Sequence, residues 1–207
     1  MDAGTNVSAS PWMNITGTRH FLMASNVEHC PKVKPPRSLQ KRFCRLLFCY
    51  LEMAEGRMTA VMRDEILALT REMVAIPSVN TTEGEKAIAV FIEQYLREIP
   101  YFTEHPEQIV IQRLKNDALD RRNVFALLRG EKKENANTVI FHGHTDTVGV
   151  EDYGELQKDA FDTQALAEKL GQMELPGEVR EDLESGDYLF GRGACDMKSG
   201  DAVFLVL

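Results

Sequence analysis

His144 and Asp146 stand two residues apart, just after an apolar run, in the order Gly143-His144-Thr145-Asp146-Thr147-Val148. In extended backbone that spacing puts both side chains on one face. There the carboxylate can accept one ring N–H of the histidine and leave the other imidazole nitrogen free for a metal ion. In open α/β sheets ligands gather beyond the carboxyl ends of strands, so a His and an Asp that follow a buried strand are placed for chemistry. Taken alone, a His-x-Asp triplet is more commonly a polar turn. His142 would share the face of His144, and a hydrogen-bonded structural role suits it better than lining a site.

A second constellation is Phe190-Gly191-Arg192-Gly193-Ala194-Cys195-Asp196-Met197-Lys198-Ser199-Gly200. Its glycines permit a tight loop that brings backbone close to a ligand. Asp196 sits at the mouth of the last apolar segment, and a carboxylate can bridge two metal ions ~3.5–4 Å apart through its two oxygens. The bland alternative makes Asp196 a helix N-cap, with Lys198 solvated and the glycines turn residues. Cys195 reads as a buried neutral thiol rather than a nucleophile or ligand.

These residues need a scaffold, and the pattern around them supplies one. Met62, Ile66, Leu69, Met73 and Ile76 recur at helical spacing ahead of Pro77, which predicts an amphipathic helix. Thr82 followed by Glu85 fits a capping box, opening a second helix in which Ile88, Phe91, Ile92, Tyr95 and Leu96 share a face and Pro100 ends the run. Runs rich in branched and aromatic residues at 109–114, 124–128 and 139–142 predict strands. Segments 165–170, 179–183 and 202–207 predict helices. Helices on both sides of a sheet, an α/β architecture, is the arrangement this order implies. The last run reaches Leu207 with no stop signal, so the expectation is a truncated piece of a longer protein.

Composition narrows the partners. With 24 Lys+Arg against 32 Asp+Glu the net charge is -8, which argues against nucleic acid or an anionic membrane surface, since both need a basic patch. No apolar stretch approaches the roughly 20 residues of a membrane-spanning helix. Four cysteines with no Cys-x-x-Cys pair predict no disulfide scaffold and a cytoplasmic setting. The balance also shifts along the chain, residues 1–57 holding 8 basic and 4 acidic residues and 58–207 holding 16 and 28. The opening 57 residues lack persistent periodicity, and Pro31, Pro35 and Pro36 interrupt them. They are expected to be a disordered or non-native extension, with Met53, Met58 or Met62 as the natural start and 58–207 as the working portion.

The two motifs in this order, Gly-His-Thr-Asp-Thr-Val and Gly-Arg-Gly-Ala-Cys-Asp-Met-Lys-Ser-Gly, resemble the paired signature of a zinc exopeptidase and deacylase family. That family includes aminoacylase, glutamate carboxypeptidase, acetylornithine deacetylase and succinyl-diaminopimelate desuccinylase. Ile76-Pro77-Ser78 is family-like too, and the stretches at 150–154 and 179–186 look similar to the bacterial arginine-utilisation branch. The resemblance spans about residues 58–207 and implies the N-terminal part of a three-layer catalytic domain, a mixed sheet between helices. It implies that His144 ligates one zinc, that Asp196 bridges two, that Asp146 orients His144 and that the Asp196–Met197 peptide is cis. Cobalt is the alternative metal.

The implied parent enzyme cleaves amide bonds of N-acyl amino acids or short peptides, with room for a role in arginine utilisation and for a homodimer. The family's general-base Glu, remaining ligands and lid or dimerisation domain fall later than residue 207. The 207 residues alone are therefore expected to bind zinc weakly and to be inactive, because a tight zinc site takes three or four protein donors. A metal-dependent phosphoesterase, which also uses His and Asp after strands, ranks below for want of further His-rich motifs.

Overall fold

A computed structural model describes residues 20–25, 60–130 and 137–207, the first of these by backbone alone. Helix α1 spans Ala60–Val74 and ends two residues before the predicted Ile76, whose N–H turns back to Met73 O at 3.2 Å. Pro77 disfavours helical backbone in the residue ahead of it, so the chain leaves the helix there. The buried face is the predicted one, with Leu69 and Met73 in the core and Ile66 and Ile76 packed against it.

Helix α2 spans Gly84–Glu98 and buries Ile88, Ile92 and Leu96. Its start differs from the expected capping box by one residue. Glu85 Oε2 accepts the N–H of Thr81 at 2.7 Å rather than that of Thr82, and Thr82 Oγ1 accepts from Gly84 N–H at 3.3 Å. Thr81 makes the shifted frame by adopting a φ of 65°. Pro100 then opens a short helix α3, Pro100–Glu104, at the first helical position, where its missing N–H costs nothing.

Strands β2 (Ile109–Arg113), β3 (Arg122–Arg129) and β4 (Val139–Gly143) fall within two residues of the predicted ones. A further strand, β1 (His20–Ser25), comes from the segment expected to be unstructured. The sheet order is β2-β3-β1-β4, with β1 antiparallel to β3 and parallel to β4 and β2 antiparallel to β3. For these six residues the unstructured reading is replaced. A strand between two neighbours satisfies its backbone groups on both sides whatever its side-chain pattern, so periodicity missed it. The remaining residues of 1–57 lie outside those described.

The sheet is mixed and the architecture is the expected α/β. Leu69 and Met73 of α1, Ile88 and Ile92 of α2, and Ala202 and Leu205 of helix α6 (Ser199–Val206) share one core with Ile109, Val124 and Ala126 of the sheet. Each large aliphatic side chain so buried contributes roughly 1.5–3 kcal/mol. Helices α4 (Thr163–Gly171) and α5 (Gly177–Ser185) extend the predicted helices, α4 being capped by Asp162, which accepts from Gln164 and Ala165 N–H at 3.1 and 2.9 Å. Between β4 and α4 the segment Glu151–Asp159 winds as 3-10 turns broken at Gly154, an element the sequence reading did not foresee. Among the described residues no helix is long and apolar enough to cross a membrane.

Ile92, 1% exposed, tests the core. Ile92→Ala should lower the unfolding free energy by about 2–5 kcal/mol, whereas Val61→Ala at the exposed start of α1 should change it by about 0.5 kcal/mol or less. Urea titrations of the two variants measure both.

Candidate metal centre

Strand β4 ends at Gly143, and the next residues are clamped by the loop that follows α1. Ser78 Oγ donates to Thr145 O, Thr147 N–H donates to Ser78 O and Asn80 N–H to Thr147 O, both at 2.8 Å, and Val79 forms a parallel bridge with Thr147. From the other side the glycine loop closes in. Gly193 adopts a φ of 79°, and a Cβ there would lie 2.5 Å from Thr147 Cγ2. Only glycine combines that backbone with that approach.

The clamp brings three of the predicted residues together. His144 Nε2 lies 2.9 Å from Asp196 Oδ1, and His144 Nδ1 lies 3.4 Å from Asp146 Oδ1 and 3.2 Å from Asp146 O. Asn80 Nδ2 reaches the second oxygen of Asp146 at 3.4 Å. The Asp196–Met197 peptide is cis. Hydrogen bonding to Asp146 first, then to Asp196, pushes the His144 imidazole up to about 10 against the desolvation that opposes it. The bond to His144 in turn holds both carboxylates below their ordinary range.

Several sequence-level readings change. Asp196 caps no helix, since the N-cap position of α6 is Lys198 and carries no side-chain cap; its carboxylate faces His144 instead. Lys198 is fully buried rather than solvated. Its Nζ donates to Ile76 O at 2.7 Å, and burial pulls it down to about 8, opposed by Asp201. Asp201, passed over in the sequence, is 1% exposed and is pushed up to about 7 by burial. Its carboxyl fills the space beside Gly143, where a Cβ would stand 1.8 Å from Oδ1. The available signal was one acidic residue inside an otherwise apolar helical segment. Cys195 is exposed and disulfide-bonded, not a buried thiol. His142 is exposed and makes no hydrogen bond to the cluster among the described residues.

The donor chemistry suits zinc, an imidazole nitrogen and a carboxylate oxygen meeting with an orienting carboxylate behind the ring. Among the described residues, however, no group of three His, Cys, Asp or Glu could hold a metal ion. What is present is one imidazole with a carboxylate at each ring nitrogen.

The sequence that builds this arrangement is similar to those of curated proteins. The chain is 44% identical over 142 residues to Protein RocB of Bacillus subtilis, covering 69% of this chain and 25% of that one. It is 38% identical over 140 residues to the uncharacterized protein YqjN of the same organism, covering 67% and 25%. It is 31% identical over 140 residues to succinyl-diaminopimelate desuccinylase of Cereibacter sphaeroides, covering 67% and 28%. No family model matches, and no solved structure matches. The chain belongs to the peptidase and deacylase family whose paired motifs it carries, and it spans about a quarter of the length of these relatives.

The raised value at His144 fixes a sign for the metal-free chain. A histidine whose folded value lies above its ordinary 6.5 contributes stability that is fully present below that pH and is lost as pH rises through about 10. Unfolding curves between pH 6 and 10 should therefore show a loss that His144→Ala removes, and the ring resonances of His144 should titrate well above those of a free imidazole.

Proposed function

We propose that the whole protein is a two-metal amide hydrolase, zinc-dependent with cobalt as a working substitute, acting on N-acyl amino acids or short peptides in arginine utilisation. The observation that carries this reading is the approach of His144 Nε2 to Asp196 Oδ1 at 2.9 Å across 52 positions. Similarity to a desuccinylase supports an acylated amine as substrate.

His144 would hold one metal, Asp196 would be shared by the two, and Asp146 would fix the tautomer and direction of the His144 ring from Nδ1. When bound, the metal pair supplies Lewis acidity at the scissile carbonyl. A ligating ring would have to be neutral, so His144 would hold a metal only without the proton that its two carboxylates favour in the metal-free chain. Residues 58–207 form the N-terminal portion of the catalytic domain and 1–57 an extension, which contributes β1 to the sheet. A cytoplasmic homodimer completes the reading. The net charge of -8 favours a small-molecule partner over nucleic acid or membrane.

A second reading concerns the 207 residues as they stand. Two converging donors are fewer than the three or four of a tight site, and the relatives are about four times longer than the matched region. The 207-residue chain by itself is therefore catalytically inactive.

Whole protein loaded with zinc or cobalt should release amino acid from N-acyl amino acids. His144→Ala should lower turnover by at least about a hundredfold, on the scale of losing a metal ligand or its orienting partner. Full turnover in excess chelator would sink the hydrolase reading, and turnover by the 207-residue chain would sink the second.

A further inference from the structure

The segment 76–80 that follows helix α1 is gripped from two directions. Toward strand β4 it holds the residues around His144 and Asp146, through Ser78 Oγ to Thr145 O and through backbone bonds of Ser78 and Asn80 to Thr147. Toward the glycine loop it holds the residues around Asp196, because Lys198 Nζ donates to Ile76 O at 2.7 Å. One short bracket therefore joins both halves of the metal centre.

The Lys198 side chain is threaded through the interior to make that bond. It is fully buried and runs beside Gly193, where a Cβ would stand 3.5 Å from its Cδ and Cε. Its own N–H donates to Gly193 O at 3.0 Å, which closes the turn carrying Asp196. Beyond Ile76 O, Nζ meets the Phe161 ring at 5.9 Å from the centroid and forms no ion pair among the described residues.

Stability does not explain this arrangement. An ammonium buried on one neutral acceptor is less favourable than an apolar chain of similar volume. Nor does the acceptor need it, since Ile76 O already takes the N–H of Ser78 at 2.8 Å. What the lysine adds is a tether. The close pass of Gly193 over Thr147 holds the loop just ahead of Asp196, and Lys198 holds it just behind, so the carboxylate that meets His144 from 52 positions away is fixed from both sides.

We propose that Lys198 is a positioning residue whose bond to Ile76 O sets the Asp196 carboxylate opposite Nε2 of His144. The catalytic consequence rests on the hydrolase reading; the placement of the carboxylate does not.

Lys198→Met tests it in two settings. In the ¹⁵N-labelled 207-residue chain the ring nitrogens of His144 report separately, Nε2 on Asp196 and Nδ1 on Asp146, and are read at about pH 5.5, a unit below the ordinary imidazole value. The variant should show a urea midpoint at or above that of the unaltered chain, a displaced Nε2 resonance and a steady Nδ1 resonance. A merely structural lysine would lower the midpoint and move both nitrogens or neither. In the whole protein with zinc, kcat on N-acyl amino acids should fall at least about tenfold, the scale of losing a group that orients a metal ligand, with KM held within about twofold. Lys198→Leu repeats the measurements if the Met variant does not fold. A lowered midpoint, a steady Nε2, an equal shift at Nδ1, an unchanged kcat, or failure of both variants to fold each overturns the proposal. If the unaltered whole protein cleaves no such amide, the hydrolase reading falls and the ring resonances and midpoint alone decide the role of Lys198.

Discussion

The ring of His144 carries a carboxylate at each nitrogen, Asp146 at Nδ1 and Asp196 at Nε2, and the second arrives from 52 residues further along the chain. Two anions brought to one small ring repel each other unless positive charge lies between them. Without a metal the imidazolium supplies that charge, which is why the ring is pushed up to about 10. The surrounding structure holds the two loops at this separation: the hydrogen bonds from 78–80 to 145–147 on one side, and the close contact of Gly193 with Thr147 on the other.

Support for that arrangement comes at a cost in buried polar groups. Lys198 and Asp201 are enclosed a few residues beyond Asp196, and both are displaced toward neutrality, Lys198 down to about 8 and Asp201 up to about 7. Burial of an ionised group in a low-dielectric interior is unfavourable unless a partner compensates it. Lys198 has one such partner in Ile76 O, a contact that ties the end of α1 to the loop carrying Asp196. Asp201 Oδ2 has none among the described residues. The apolar packing of α1, α2 and α6 on β2 and β3 offsets these penalties, so the core's placement directly behind the site is part of how the site is kept.

The helical faces were legible because they rest on local spacing. Leu69, Met73, Ile88, Ile92 and Leu96 recur at the period of a helix, and they are buried. Proline and glycine marked where elements stop. Less legible were features that depend on who lies alongside. The capping box moved by one residue because Thr81 could take a left-handed conformation and meet Glu85. Strand β1 is held by its neighbours rather than by a pattern of its own. Lys198 looked solvated because nothing in its local spacing shows that Ile76 O waits 122 positions earlier.

What the linear chain determined by itself was the identity and order of the chemistry, a His-x-Asp triplet after a strand and a glycine loop ending in Asp196, together with the family these define. Those are matters of residue type at short separation, which side-chain chemistry and backbone period govern directly. Only the tertiary structure decided that Nε2 of His144 faces Asp196 while Nδ1 faces Asp146, and that Lys198 and Asp201 lie inside. Each of these joins groups from separate elements, and their distances follow from how helices and sheet pack around a shared core, a global condition that no local window of sequence contains.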